Sequence, residues 1–174
     1  RTAWYVNAGM TELYGFNQIR AANYFYRASQ LSPKEPFPLF GSSYAVQMNF
    51  NHLVVSQRYM VYSIQCFLLA KQLCASLGRT CPPITKRLVH ALRARTIQKG
   101  SAPFDKVNLS PSYPQVQKNM TRWSARMATV FRSFPNDADV CCLYASSLMM
   151  YSPWKWWPDG SLYVPPTDLT QLQQ

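Results

Sequence analysis

Within the first 33 residues, small and aromatic side chains recur at intervals that suit two helices lying back to back. Gly9 and Ala21 fall where such a pair approaches most closely, with Tyr5 and Ala8 before them and Phe25 and Ala28 after. A close helix crossing admits only small side chains, and a ring at Phe25 would fill the space between this pair and the next. Pro33 then ends the second helix, because proline lacks the N–H of the ladder and clashes with the preceding turn. A unit of this size cannot bury its apolar face alone, so the pattern demands more helices stacked upon it.

The remaining sequence is punctuated for helices in the same way. The first helix is expected over Ala3–Tyr14, broken at Gly15, and the second from an Asn17 cap to Leu31. A third covers Phe37–Met48 behind Pro36 and Pro38, and Asn49–Asn51 turns the chain into a long fourth, His52–Leu77, ended by Gly78. Pro82 and Pro83 open a fifth helix reaching Gln98. The sixth, Pro114–Phe134, stops at Pro135, and Asn136 and Asp137 cap a seventh running to Tyr151. No stretch alternates with period two, so no sheet is expected. The predicted fold is all-α: antiparallel helix pairs stacked as a short α-solenoid over residues 1–151, with a long loop at 99–113. Residues 152–174 form a Trp/Pro-rich extension with a short terminal helix, Asp168–Gln174.

Charge narrows the choice of partners. Eighteen Lys and Arg face seven Asp and Glu, a net charge of +11, and no acidic residue lies between Glu35 and Asp105. Such an excess calls for an anionic partner along the basic stretch 71–126: nucleic acid, anionic lipid head groups, or an acidic protein face. Yet charged residues make up only 14% of the chain, against about 25% in free-standing soluble domains. A charge-poor, aromatic-rich surface suits a subunit packed among other subunits of a large complex. The longest apolar run, Tyr59–Ala70, lies between Arg58 and Lys71 and falls short of the ~20 residues that cross a bilayer, so no transmembrane segment is expected. The low acid content and the start at Arg1 suggest an organelle-targeted product, mitochondrial or plastid.

Chemistry-bearing residues are sparse. His52 and His90 have no acid or nucleophile nearby in sequence, Asp137 and Asp139 are explained by a helix start, and all six glycines are isolated, which excludes a phosphate-cradling loop. The five cysteines match no zinc spacing. Cys66 and Cys74 are read as buried apolar thiols, as are Cys141 and Cys142. Cys74 and Cys81 bracket a turn, where a disulfide in an oxidising compartment is the alternative to two buried thiols. No catalytic, cofactor or metal residue is predicted, and no cofactor. The binding candidates are Lys86, Arg93 and Lys99 as one basic helix stripe, Arg87 and Arg95 as a second, and the aromatic group Trp154, Trp156 and Trp157.

Longer blocks give a family resemblance. They are Leu13-Tyr14-Gly15-Phe16-Asn17, Phe40-Gly41 with Tyr44-Ala45, Asn49-Phe50-Asn51, Leu88–Arg95, Phe134–Val140, Leu143-Tyr144-Ala145, and Ser152-Pro153-Trp154 with Trp157 and Asp159-Gly160. In this order, over nearly the whole chain, they resemble a family of tetratricopeptide-repeat proteins of bacteria and eukaryotic microbes. The resemblance implies stacked helix pairs. The chain departs from that pattern at Gln18, Ile19 and Arg20, where a His and acids are usual, at Lys86 and Arg87, where acids are usual, and at Ser146, where Glu is usual. The expected function is a noncatalytic structural or adaptor subunit of a larger assembly. The alternatives are an RNA-associated basic helical protein and a degenerate enzyme or metal-binding relative of the repeat family.

Overall fold

The computed structural model describes residues 1–49, 51, 55–96 and 113–151. Lys99, Trp154, Trp156, Trp157, His52, the 99–112 part of the long loop and the terminal helix lie outside them. Among the described residues there are seven helices and no strand: α1 Thr2–Tyr14, α2 Gln18–Leu31, α3 Pro36–Ala45, α4 Gln57–Leu77, α5 Pro83–Thr96, α6 Tyr113–Ser133 and α7 Ala138–Tyr151. The all-α expectation is met.

Helix ends follow local chemistry. Asp137 accepts a hydrogen bond from the Val140 N–H at 2.9 Å and so caps α7. Gly78 ends α4 at φ 56°, a left-handed conformation that glycine adopts without a Cβ penalty. Asn17 stands at the α2 cap position, but its side chain makes no cap bond. Two boundaries differ from expectation. Helix α3 stops at Ala45 rather than Met48, and Gln47 donates its amide to the Ser63 hydroxyl of α4 at 2.8 Å. Helix α4 starts at Gln57 rather than His52, because Ser56 provides the cap, accepting from the Tyr59 N–H at 3.5 Å.

The first three helices pack as the small-residue spacing requires. The Thr2 and Ser32 hydroxyls lie 2.8 Å apart, joining the start of α1 to the end of α2, so the two run antiparallel. Phe25 is fully buried, as are Ala21 and Ala28. A Cβ at Gly9 would sit 2.8 Å from the Phe25 ring, and one at Gly41 2.6 Å from it, so the ring is clamped between two bare backbones on α1 and α3. Pro33 follows directly on the Ser32 end of α2. Between α3 and α4 the Ser43 hydroxyl donates to the Ser63 carbonyl at 2.8 Å and the Ser63 hydroxyl to the Ser43 carbonyl at 3.0 Å, which lets small polar residues cross without orphaned groups.

Each helix packs on its neighbours in sequence, and α3 also reaches α1 and α5. The main core gathers Phe40, Phe67, Leu88, Leu92, Trp123, Met127, Leu143 and Tyr144, and a smaller one surrounds Phe25. The two ends of the described chain meet: the Tyr14 hydroxyl on α1 donates to the Asp139 carboxylate on α7 at 2.6 Å. Helix α4 has 21 residues and an 18-residue window of mean hydropathy 1.3, so by length and composition it is apolar enough to cross a membrane. In this fold it lies between α3 and α5.

Candidate functional site

The structure divides the predicted basic residues of α5. Lys86, Arg87 and Arg93 are exposed, whereas Arg95 is buried, only 6% accessible. The proposed Arg87/Arg95 surface stripe is therefore corrected. Eight residues along a helix advance the side chain by a net rotation of about 80°, enough to carry it from solvent to core, whereas the seven from Lys86 to Arg93 bring it back to within about 20°. Exposed His90 lies between Lys86 and Arg93 on the outer face, and its carbonyl accepts from the Arg126 guanidinium of α6 at 3.0 Å. Helices α5 and α6 together carry Lys86, Arg87, Arg93, Arg95, Lys118, Arg122, Arg126 and Arg132 and no acidic residue.

Arg95 lies against two neighbouring rings. Its guanidinium carbon lies 4.6 Å from the Tyr44 ring centroid and 5.3 Å from that of Trp123, within the range of cation–π attraction. One nitrogen, Nη2, donates to the Met48 carbonyl. The other two, Nε and Nη1, are buried and make no hydrogen bond among the described residues. Desolvation pushes the guanidinium pKa down, opposed by the Tyr44 hydroxyl. Arginine nonetheless stays protonated in proteins, so the site holds a permanent cation. A fully buried Arg with no carboxylate partner is rare.

Arg95 lines a cavity of about 330 Å³. The cavity draws on all four odd-numbered helices: Leu13 and Tyr14 of α1, Tyr44 of α3, Arg95 of α5, and Cys142 to Met150 of α7. Its polar groups include Gln18, Asn49 and Ser146. The Ser146 and Tyr44 hydroxyls are 3.2 Å apart. A second cavity of about 450 Å³ shares Phe16, Gln18 and Asn49 with it and runs toward Tyr59. Gln18 and Ser146 are far apart in sequence, and the fold brings both to the cavity of Arg95.

Elsewhere, the outer face of the first pair is aromatic. Trp4 is 61% exposed and its ring meets Tyr5 and Tyr24 at centroid distances of 5.0 and 5.8 Å. Cys74 and Cys81 are both buried thiols, their sulfurs 3.1 Å apart, and burial with the Cys81 contact pushes the Cys74 thiol up to about 12. Cys66 is buried beside Tyr62, and Cys141 and Cys142 are not buried; Cys142 is exposed, which corrects the packing role expected for it. Among the described residues no three His, Cys, Asp or Glu side chains gather where they could hold a metal. No family model, curated protein or solved structure matches this chain.

Proposed function

We propose that this chain is a noncatalytic adaptor, a tetratricopeptide-like stack of helix pairs that works as a subunit of a larger assembly. The observation that carries this reading is the open Trp4–Tyr5–Tyr24 cluster on the outer face of the first pair. Stacked-helix proteins need a polar outer face at their ends to remain soluble alone. Here that position is aromatic, and rings of this kind anchor protein interfaces. The arrangement of α1, α2 and α3 around Phe25 fits the stacked-pair reading, because the Gly9 contact closes the first pair and the Gly41 contact joins it to the next.

Purification from the native source in high salt tests the proposal. A stoichiometric protein partner should accompany the chain, and the double substitution Trp4→Ser, Tyr24→Ser should release it while the helical circular dichroism is retained. A monodisperse monomer without such a partner would count against the adaptor reading.

A second reading, an RNA-associated protein, rests on the acid-free face of α5 and α6. Phosphate contacts release counterions, so affinity should fall with salt, the log–log slope losing about 0.7 per single-strand phosphate contact removed. Charge reversal at Lys86, Arg93 and Arg122, all exposed, should flatten that slope. An unchanged slope would remove this reading. Arg95, being buried, is unsuited to the test.

A further inference from the structure

Among the described residues, nothing of opposite charge lies beside the buried cation at Arg95. Helices α3, α5 and α6 contain no acidic residue. The carboxylates of α1 and α7 are engaged elsewhere: Asp139 accepts from Tyr14 at 2.6 Å and Glu12 pairs with Arg20 at 3.0 Å. Nε and Nη1 of Arg95 are closed to bulk water and unpartnered among the described residues. The side chain lines the 330 Å³ cavity; those two nitrogens are closed to water there, so an anion reaches them as the lining side chains shift. A buried charge without a counter-charge is strongly disfavoured, so the geometry calls for an anion at this place.

The cavity also limits what that anion is. One cation balances one negative charge, which favours a carboxylate over a doubly charged phosphate. Beyond Arg95, the Tyr44–Ser146 hydroxyl pair and Asn49, much of the lining is apolar, including Leu13, Met149 and Met150. Its volume stands at the small end of ligand pockets, which run from about 300 to 1,000 Å³. The Met48 carbonyl holds one edge of the guanidinium, and the Tyr44 and Trp123 rings lie side by side against it, so the cation is oriented before any ligand arrives. Methionine side chains adapt to ligand shape more readily than branched ones.

We propose that the cavity between α1, α3, α5 and α7 binds a small amphipathic monocarboxylate, its head group drawn to Arg95 and the Tyr44–Ser146 hydroxyls and its apolar body lying along Leu13, Met149 and Met150. This site is independent of the adaptor reading, since the Trp4 face lies outside it and neither result decides the other.

Calorimetric titration of the full chain tests it with decanoate, decanol, decyl phosphate and decyltrimethylammonium. Decanoate should bind once per chain and at least tenfold more tightly than decanol or the doubly charged decyl phosphate, and the ammonium should not bind. In Arg95→Gln the preference for decanoate over decanol should vanish. Because that variant removes a buried group and can fail to fold, Ser146→Glu gives a second test. It brings a carboxylate to the Tyr44 side of Arg95, and should raise the melting temperature while weakening decanoate at least tenfold. Equal binding of decanoate and decanol would overturn the proposal, as would decanoate binding unaffected by Ser146→Glu. So would a peptide with an apolar C-terminus that outcompetes decanoate.

Discussion

At the scale of single residues, two contacts set the behaviour of this chain. Phe25 has no spare room, because Gly9 and Gly41 press their backbones against its ring. Replacing Gly41 by Ala should cost about 1–3 kcal/mol, the usual penalty for overpacking a filled core. Urea denaturation will show this, and Phe25→Leu in the same chain should recover part of the loss. The second contact is Cys74 with Cys81. Their sulfurs are close enough to react, but thiol–disulfide exchange proceeds through the thiolate. With its pKa raised to about 12, Cys74 is almost wholly protonated at neutral pH and gains thiolate as pH rises toward that value. Oxidation through Cys74 by glutathione disulfide, in a Cys141→Ser, Cys142→Ser background, should therefore accelerate about tenfold per pH unit between pH 7 and 10. Mass spectrometry of the alkylated protein follows the reaction. The closed loop is short, so the bond should stabilise the fold by about 2–3 kcal/mol.

At the scale of helices, the ends differ in how they are secured. Asp137 caps α7 through a direct bond to the Val140 N–H, while Asn17 occupies the corresponding place on α2 without one. Both residue types are good caps by composition. Asp137→Ala should lower stability by about 1 kcal/mol, and Asn17→Ala by much less, as measured by thermal or urea unfolding. Equal losses would show that the Asn17 side chain engages its helix in solution. The same contrast explains how far local sequence could be read. Gly78, Pro83 and the Asp137 cap mark boundaries because they act through their own backbone neighbours. The ends of α3 and α4 were less legible. Gln47 is drawn into a tertiary hydrogen bond with Ser63, and the Ser56 side chain caps α4 beyond the expected start at His52.

At the scale of the molecule, α1 and α7 meet through one bond, and the cavity of Arg95 lies beside it. Tyr14→Phe removes that bond, with an expected loss of about 1 kcal/mol, lowered from the usual charged-acceptor value because both partners are reached by solvent. Amide exchange at the end of α1 and in the first turn of α7 should quicken together; quickening in only one would show that the two helices are not joined there in solution. Burial and the Asp139 hydrogen bond both hold the Tyr14 phenol in its protonated form above its ordinary pKa, so the link should persist across alkaline pH up to the range where free tyrosine ionises.

The amino-acid sequence by itself determined the helical class, most of the helix stops and the burial of Phe25 against Gly9, because these depend on periods and punctuation that neighbouring residues share. It also supplied the excess of positive charge. It did not determine which positive charge faces inward. Arg87 and Arg95 carry the same side chain on the same helix, and only the placement of α3 and α6 against α5 gives one to solvent and the other to the core. The cavity likewise belongs to no single segment. Its walls come from residues as far apart as Leu13 and Met150, and tertiary packing alone brings them around one buried cation.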